Sequence, residues 1–222
     1  MSRIYVYGTI GYDVDAEYMR LALEDAQGDI ELRINSGGGD VFDGQAIFSL
    51  LEDYKKRTGS KITVVVDALA ASIASVIAMA GDEVLMASNS LMMIHNPWTP
   101  QATGESKDLR DTADVLDKVR ETILTVYEGR TGIDRDMLGD MMDEETWLSA
   151  AEAISFGFAD SVIEPSEAPV ACIKAFNYVN APEWISAGEV AFIDQAPKED
   201  KQAPVNRSIA EQKIKLSRCC NK

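Results

Sequence analysis

Short runs of β-branched residues alternate along the chain with longer stretches whose apolar positions recur at helical spacing. Residues 4–7 alternate weakly and predict a first strand, with a turn at 8–11. Asp15 is placed to cap a helix over 16–26 that carries Met19, Leu23 and Ala26 on one face. Residues 30–34 predict a second strand, and Asn35, Ser36, Gly37, Gly38, Gly39 and Asp40 lead from it into a helix. In that helix Phe42, Ala46, Ile47, Leu50, Leu51 and Tyr54 share a face, and Gly59 ends it. The Val-rich run at 62–66 predicts a buried third strand. The side chains then shrink abruptly, because four of the five residues before Ile73 are Ala or Ser. Ile73, Val76, Ile77 and Ala80 resume helical spacing, with Gly81 as the stop.

Short strands are predicted at 83–86 and 91–94, followed by a loop at His95, Asn96, Pro97 and Trp98. A long helix is expected over 107–128, with Leu109, Ala113, Leu116 and Ile123 on one face. Its other faces are charged, so it either protrudes to meet a neighbouring copy or covers the sheet. Asp134 starts a short helix to 142. Ser149 and Glu152 form a capping box for a helix that ends at Gly157, and 160–163 predicts a last strand. Strands alternating with helices at this spacing mean βαβ units and an α/β fold, with a parallel sheet covered on both sides. From 165 onward Pro, Ala, Glu and Asn interrupt every apolar run. The expected organisation is a folded domain at 1–164, an extension at 165–194 and a flexible basic tail at 195–222.

Charge and composition narrow the classes. The net charge is −16, although residues 195–222 hold seven Lys/Arg against three Asp/Glu. The rest of the chain is therefore more acidic than the total, which argues against nucleic acid as a partner. No apolar run approaches the roughly 20 residues that span a bilayer, so no membrane partner is expected. The first strand begins almost at the N-terminus, and no secretory leader is expected. Cys172, Cys219 and Cys220 are too few and too late for a disulfide framework, which fits a reducing, cytoplasmic setting. One histidine and three peripheral cysteines supply no metal cluster. No metal or other cofactor is expected.

Ser72 stands where a strand turns into a helix. A hydroxyl there meets free backbone N–H groups and the positive end of the helix dipole, a good place for an oxygen nucleophile. The same position also suits an ordinary N-cap. Ser75, one turn further in, is expected to bond back to the preceding turn. Any mechanism that needs an imidazole must use His95, the sole histidine. Gly37, Gly38 and Gly39 can expose successive N–H groups to an anion, either a phosphate or the oxyanion of an acyl intermediate. The dinucleotide fingerprint and the P-loop are both missing, which favours the oxyanion. Asp143, Glu144 and Glu145 precede Thr146 and Trp147; they are either a solvated loop or include the acid that orients an imidazole. Serine, histidine, acid and glycine amides together are the parts of a serine hydrolase.

These residues resemble a known family, the proteolytic subunit of the Clp protease within the wider Clp/crotonase-like fold. The likeness runs from about Arg3 to Glu164. The segment Ile34, Asn35, Ser36, Gly37, Gly38, Gly39 resembles the family's I-N-S-P-G-G. Ala70, Ala71, Ser72, Ile73, Ala74 resembles its A-A-S-M-G, and Met93, Ile94, His95, Asn96, Pro97 its M-I-H-Q-P. Trp147, Leu148, Ser149, Ala150, Ala151, Glu152, Ala153 resembles its F-L-S-A-P-E-A. The resemblance implies stacked βαβ units with a protruding long helix. It implies Ser72 as nucleophile, His95 as base, and backbone N–H groups of Gly39 and Ile73, with Gly38 beside them, as the oxyanion hole. The acid falls on Glu145 where the family usually has Asp, with Asp143 and Glu144 as alternatives.

The family's N-terminal segment, which lines the axial pore and meets the ATPase ring, is expected to have no counterpart here, because the likeness starts on the first strand. The Gly-Gly-Gly-Asp variant and the Trp-Leu-Ser acid loop look most like phage-type members, the head-maturation proteases. The resemblance then implies an endopeptidase enclosed in homo-oligomeric, heptameric and possibly stacked rings. It would act on scaffold and capsid precursors in a host cytoplasm or procapsid, without needing an AAA+ unfoldase. Two other readings stay open: a conventional ATP-dependent Clp subunit, and a crotonase-fold acyl-CoA enzyme or inactive ring protein.

Overall fold

In the computed structural model, which describes residues 1–100, 102–164 and 180, strand alternation sets the architecture. Strands β1 (Ser2–Ile10), β2 (Ile30–Gly39) and β3 (Ile62–Ala71) bury Ile4, Val6, Leu32, Ile34, Val64 and Val66 on one face. Between them run α1 (Ala16–Asp25), capped by the Asp15 carboxylate, and α2 (Val41–Thr58), capped by Asp40. Their buried stripes, Met19 and Leu23 in α1 and Ile47, Leu51 and Tyr54 in α2, join that face in one core. α3 (Ile73–Ala78) follows β3 and leads to β4 (Glu83–Ala87). The parallel order β1-β2-β3-β4-β7 closes with β7 (Ser161–Ile163), as βαβ crossovers require.

β5 (Leu91–Ile94) leaves this order. It pairs in parallel with the small-residue end of β3, Leu69 to Ala71, and antiparallel with β6 (Thr146–Ser149). α4 (Ser106–Thr131) and α5 (Arg135–Asp143) lie between them, and α6 (Ala150–Ser155) starts from the Ser149/Glu152 capping box read from the sequence.

Several expectations are corrected. β1 does not turn at 8–11; it bulges at Gly8 (φ 89°) and continues to Ile10. The three glycines are not a free loop but the end of β2, with Gly38 paired to Thr9 and Gly39 to Ile10. Helices do not cover both faces of the first three strands: the far side carries Arg3, Tyr5, Glu31 and Arg33, none of them fully buried. That face is tied by Arg33 to Asp67 and Glu31, with Tyr7 Oη donating to Asp67 at 2.6 Å. α4 packs through Val119, Ile123, Leu124 and Tyr127, while Leu109 and Ala113 face solvent. Phe42 is 65% exposed rather than part of the α2 core stripe. Apart from Asn180, the proposed extension and tail, with Cys172, Cys219 and Cys220, lie outside the described residues. Among the described residues no helix is long and apolar enough to cross a membrane, and no three metal-binding side chains cluster.

Candidate active site

The end of β3 is built from Ala70 and Ala71, both fully buried, so β5 and the β2 glycines approach closely. The chain then turns at Ser72, with φ 56° and ψ −131°. A non-glycine residue in this region costs about 1–3 kcal/mol and persists only where the surroundings hold it. Ser72 occupies the N-cap position of α3, yet its hydroxyl makes no capping bond. It lies 2.8 Å from His95 Nε2 instead. The Ser72 N–H donates to the Met93 carbonyl at 2.9 Å, which extends the β3–β5 pairing to the base of the histidine loop.

His95 follows directly on β5 and is 12% exposed. Burial holds its pKa below the ordinary 6.5, and the Glu145 charge only partly offsets this. The imidazole is therefore neutral at pH 7. Nε2 can then accept a proton from Ser72 while Nδ1 carries the ring proton.

The acid loop is positioned by β6. Met93 pairs with Trp147 and Ile94 with Thr146, so the antiparallel register carries His95 opposite Glu145. Glu145 Oε2 lies 4.0 Å from His95 Nδ1, and the carboxylate is 8% exposed. This residue too has a positive φ, 51°. Its Oε1 accepts Trp147 Nε1–H at 3.1 Å and the Asn180 backbone N–H at 2.7 Å. Asn180 is fixed further by its Nδ2, which donates to the Glu144 carbonyl at 2.7 Å. Of the three acids, Glu145 is the one against the imidazole. Asp143 is 58% exposed and braces the loop, accepting from Asn96 Nδ2 at 2.7 Å and from Arg120 at 3.2 Å. Those contacts, the Asn96 bond first, hold its pKa below the usual carboxylate range.

The β2 glycines form the opposite wall. A Cβ on Gly38 would come within 2.7 Å of Ser72 Cβ, and one on Gly39 within 2.1 Å of the Ile10 carbonyl. Both have positive φ, so the close approach requires glycine. The Gly38 N–H is already spent on Ser36 Oγ at 3.1 Å, which removes Gly38 from the expected oxyanion donors. Gly39 borders the cleft with Ser72 and His95, and Ile73 is the first residue of α3, whose N–H has no acceptor within the helix.

In front of Ser72 and His95 opens a cleft of about 550 Å³. Its walls include Val41 and Phe42 of α2, Trp98 and Pro100 of the loop, and Val115, Leu116 and Val119 of α4. A second, shallower depression of about 840 Å³ lies between α1 and α2, away from these groups. Sequence reasoning did not find Asn180, which no local pattern marks, or Tyr127, which touches Ser75 behind the nucleophile turn.

A strained serine turn packed between the β2 glycines and an imidazole, on a mostly parallel α/β sheet, fits a hydrolase of the Clp/crotonase-like fold. The sequence model of the Clp protease family matches residues 3–166. An ATP-dependent Clp protease proteolytic subunit 1 of Synechococcus sp. (strain CC9902) is 34% identical over 151 residues, 67% of this chain and 74% of that protein. The subunit 1 of Prochlorococcus marinus (strain MIT 9312) is 33% identical over 151 residues, 67% and 75% of the two chains. The ATP-dependent Clp protease proteolytic subunit of Bacteroides fragilis is 30% identical over 170 residues, 73% and 80% of the two chains. The chain belongs to the Clp protease family and is a serine peptidase.

Proposed function

We propose that Ser72, His95 and Glu145 hydrolyse peptide bonds as a catalytic triad. The observation that carries this reading is the 2.8 Å contact between His95 Nε2 and an uncapped Ser72 hydroxyl on a strained turn. Ser72 Oγ attacks the scissile carbonyl as His95 Nε2 takes its proton. His95 then passes the proton to the leaving amine, an acid–base contribution of roughly 10²–10⁴-fold. Water, activated by the same imidazole, releases the acyl group. The Gly39 and Ile73 N–H groups meet the oxyanion, each worth about 3–4 kcal/mol. Glu145 acts mainly through its charge, because 4.0 Å exceeds direct hydrogen-bond reach to Nδ1. The apolar cleft walls favour substrates with large apolar side chains beside the scissile bond.

A fluorophosphonate probe tests the core of this reading. It should label the protein at Ser72, and Ser72→Ala should abolish labelling and lower peptide hydrolysis on the order of 10⁴–10⁶-fold. Labelling at Ser75, or no labelling of the folded protein, refutes it.

The finer assignment is an endopeptidase enclosed in homo-oligomeric rings that processes phage scaffold and capsid precursors in the host cytoplasm or procapsid. It rests on the resemblance of the Gly37–Asp40 and Trp147–Ser149 segments to phage-type members. The ATP-dependent relatives favour a second reading, a conventional subunit fed by an AAA+ unfoldase. Incubation with a capsid precursor without ATP separates the two. Cleavage supports the first, and cleavage only after an unfoldase and ATP are added supports the second.

A further inference from the structure

Two buried hydroxyl residues behind the nucleophile turn have no part in the proposed reaction. Ser75 is 0% and Tyr127 1% exposed. Ser75 Oγ lies 2.5 Å from the Ser72 carbonyl oxygen and 2.8 Å from Tyr127 Oη. A carbonyl oxygen only accepts, so the single hydroxyl proton of Ser75 goes to Ser72. Tyr127 must then donate to Ser75. Burial pushes the Tyr127 phenol above its ordinary pKa, so the donor keeps its proton.

The Ser75 N–H reaches the same carbonyl at 3.0 Å, while the Ser72 N–H is held by Met93 at 2.9 Å. The peptide groups on both sides of residue 72 are thereby fixed. The turn cannot relax without breaking one of these bonds. A serine in a helix bonds back to the preceding turn unaided. Here a tyrosine 52 residues away is added to that bond, and its ring is set edge-on against Phe158 at 5.5 Å. Two apolar residues would have filled the same space with no polar group to satisfy.

We propose that Tyr127 and Ser75 are positioning residues that clamp the Ser72 carbonyl and so hold the Ser72 hydroxyl on His95. The proposal rests on the reading of Ser72 as nucleophile.

Tyr127→Phe removes one oxygen and keeps the ring, and Ser75→Ala removes the donor to Ser72. Each should lower kcat on a fluorogenic peptide about 5–30-fold with KM within about twofold, and slow fluorophosphonate labelling in parallel. The double variant should be no slower than Ser75→Ala, because the two groups act in series. A pair that serves packing alone would lower the melting temperature and leave kcat and labelling at parent values. That result, a loss confined to KM, or two losses that multiply overturns the proposal. Should Ser75→Ala fail to fold, kcat and labelling of Tyr127→Phe decide. Ser72→Ala in parallel separates the two failures. Labelling that survives it refutes the nucleophile itself, whereas labelling lost there but unchanged in Tyr127→Phe refutes only the clamp.

Discussion

The two halves of the candidate triad are built in different ways. Ser72 and His95 lie 2.8 Å apart on neighbouring parallel segments, and the bond between the Ser72 amide and Met93 sets their spacing. The surrounding alanines and glycines leave that spacing no slack. Glu145 lies 4.0 Å from the imidazole in the turn just before the far strand of a short antiparallel pair, and Trp147 and Asn180 occupy one of its oxygens. The first half is set by the core of the domain. The second is set by a loop with help from a residue beyond the family match. Damage to the first half should therefore abolish the reaction, and damage to the second should retune it.

Gly38→Ala gives the largest effect of this set. Its methyl group would meet Ser72 Cβ at 2.7 Å, at a φ of 97° that alanine resists. Peptide hydrolysis should fall on the order of 10³-fold or more, since misplacing the reacting groups by about 1 Å alone costs about 10²-fold. Hydrolysis within tenfold of the parent would show that the turn yields more than its packing suggests.

Glu145→Gln tests the other half. The loss of kcat should be smaller, on the order of 10²-fold, less than the roughly 10⁴-fold seen where a triad acid bonds its imidazole directly. The pH profile gives a sharper test. Activity needs neutral His95 and falls as pH drops through its pKa, which burial places below 6.5. The Glu145 charge raises that pKa, so removing it should move the acid limb of kcat/KM to still lower pH. A limb that stays in place, or moves up, would show that Glu145 does not act on His95 through its charge.

The smallest effect belongs to Asn180. Asn180→Pro deletes the N–H that meets Glu145, whereas Asn180→Ala keeps it and loses only the anchor to the Glu144 carbonyl. The proline variant should lower kcat about 3–10-fold, because it loosens the acid without removing its charge, and the alanine variant less. Equal effects of the two would mean that the backbone donor is irrelevant.

What the sequence revealed follows the range of each interaction. Asp15, Gly59 and the Ser149/Glu152 box act within a few residues, and each stands where its local pattern predicts. The Ser75 back-bond is also local and was readable in advance. β6 spans only four residues, too short for periodicity, and its pairing with β5 is decided some fifty residues away. The three glycines read as a loop because glycine has low strand propensity. They are nevertheless drawn into β2 because β1 and Ser72 approach where no Cβ fits. The α4 spacing is helical as read, but its first turns have no core beneath them, so Leu109 and Ala113 keep helical spacing without burial. Among Asp143, Glu144 and Glu145, composition offers no distinction; the motif resemblance points to Glu145, and the register with β5 sets that residue against His95.

The bond from Asn180 to Glu145 also bears on where this enzyme can be trimmed. A cut just past residue 166, where the family likeness stops, would spare every strand and helix described. Such a cut would remove the Asn180 donor and leave the contact between Ser72 and His95 untouched. On the proposed reading, losing that one bond would act as a dimmer on the enzyme rather than an off switch.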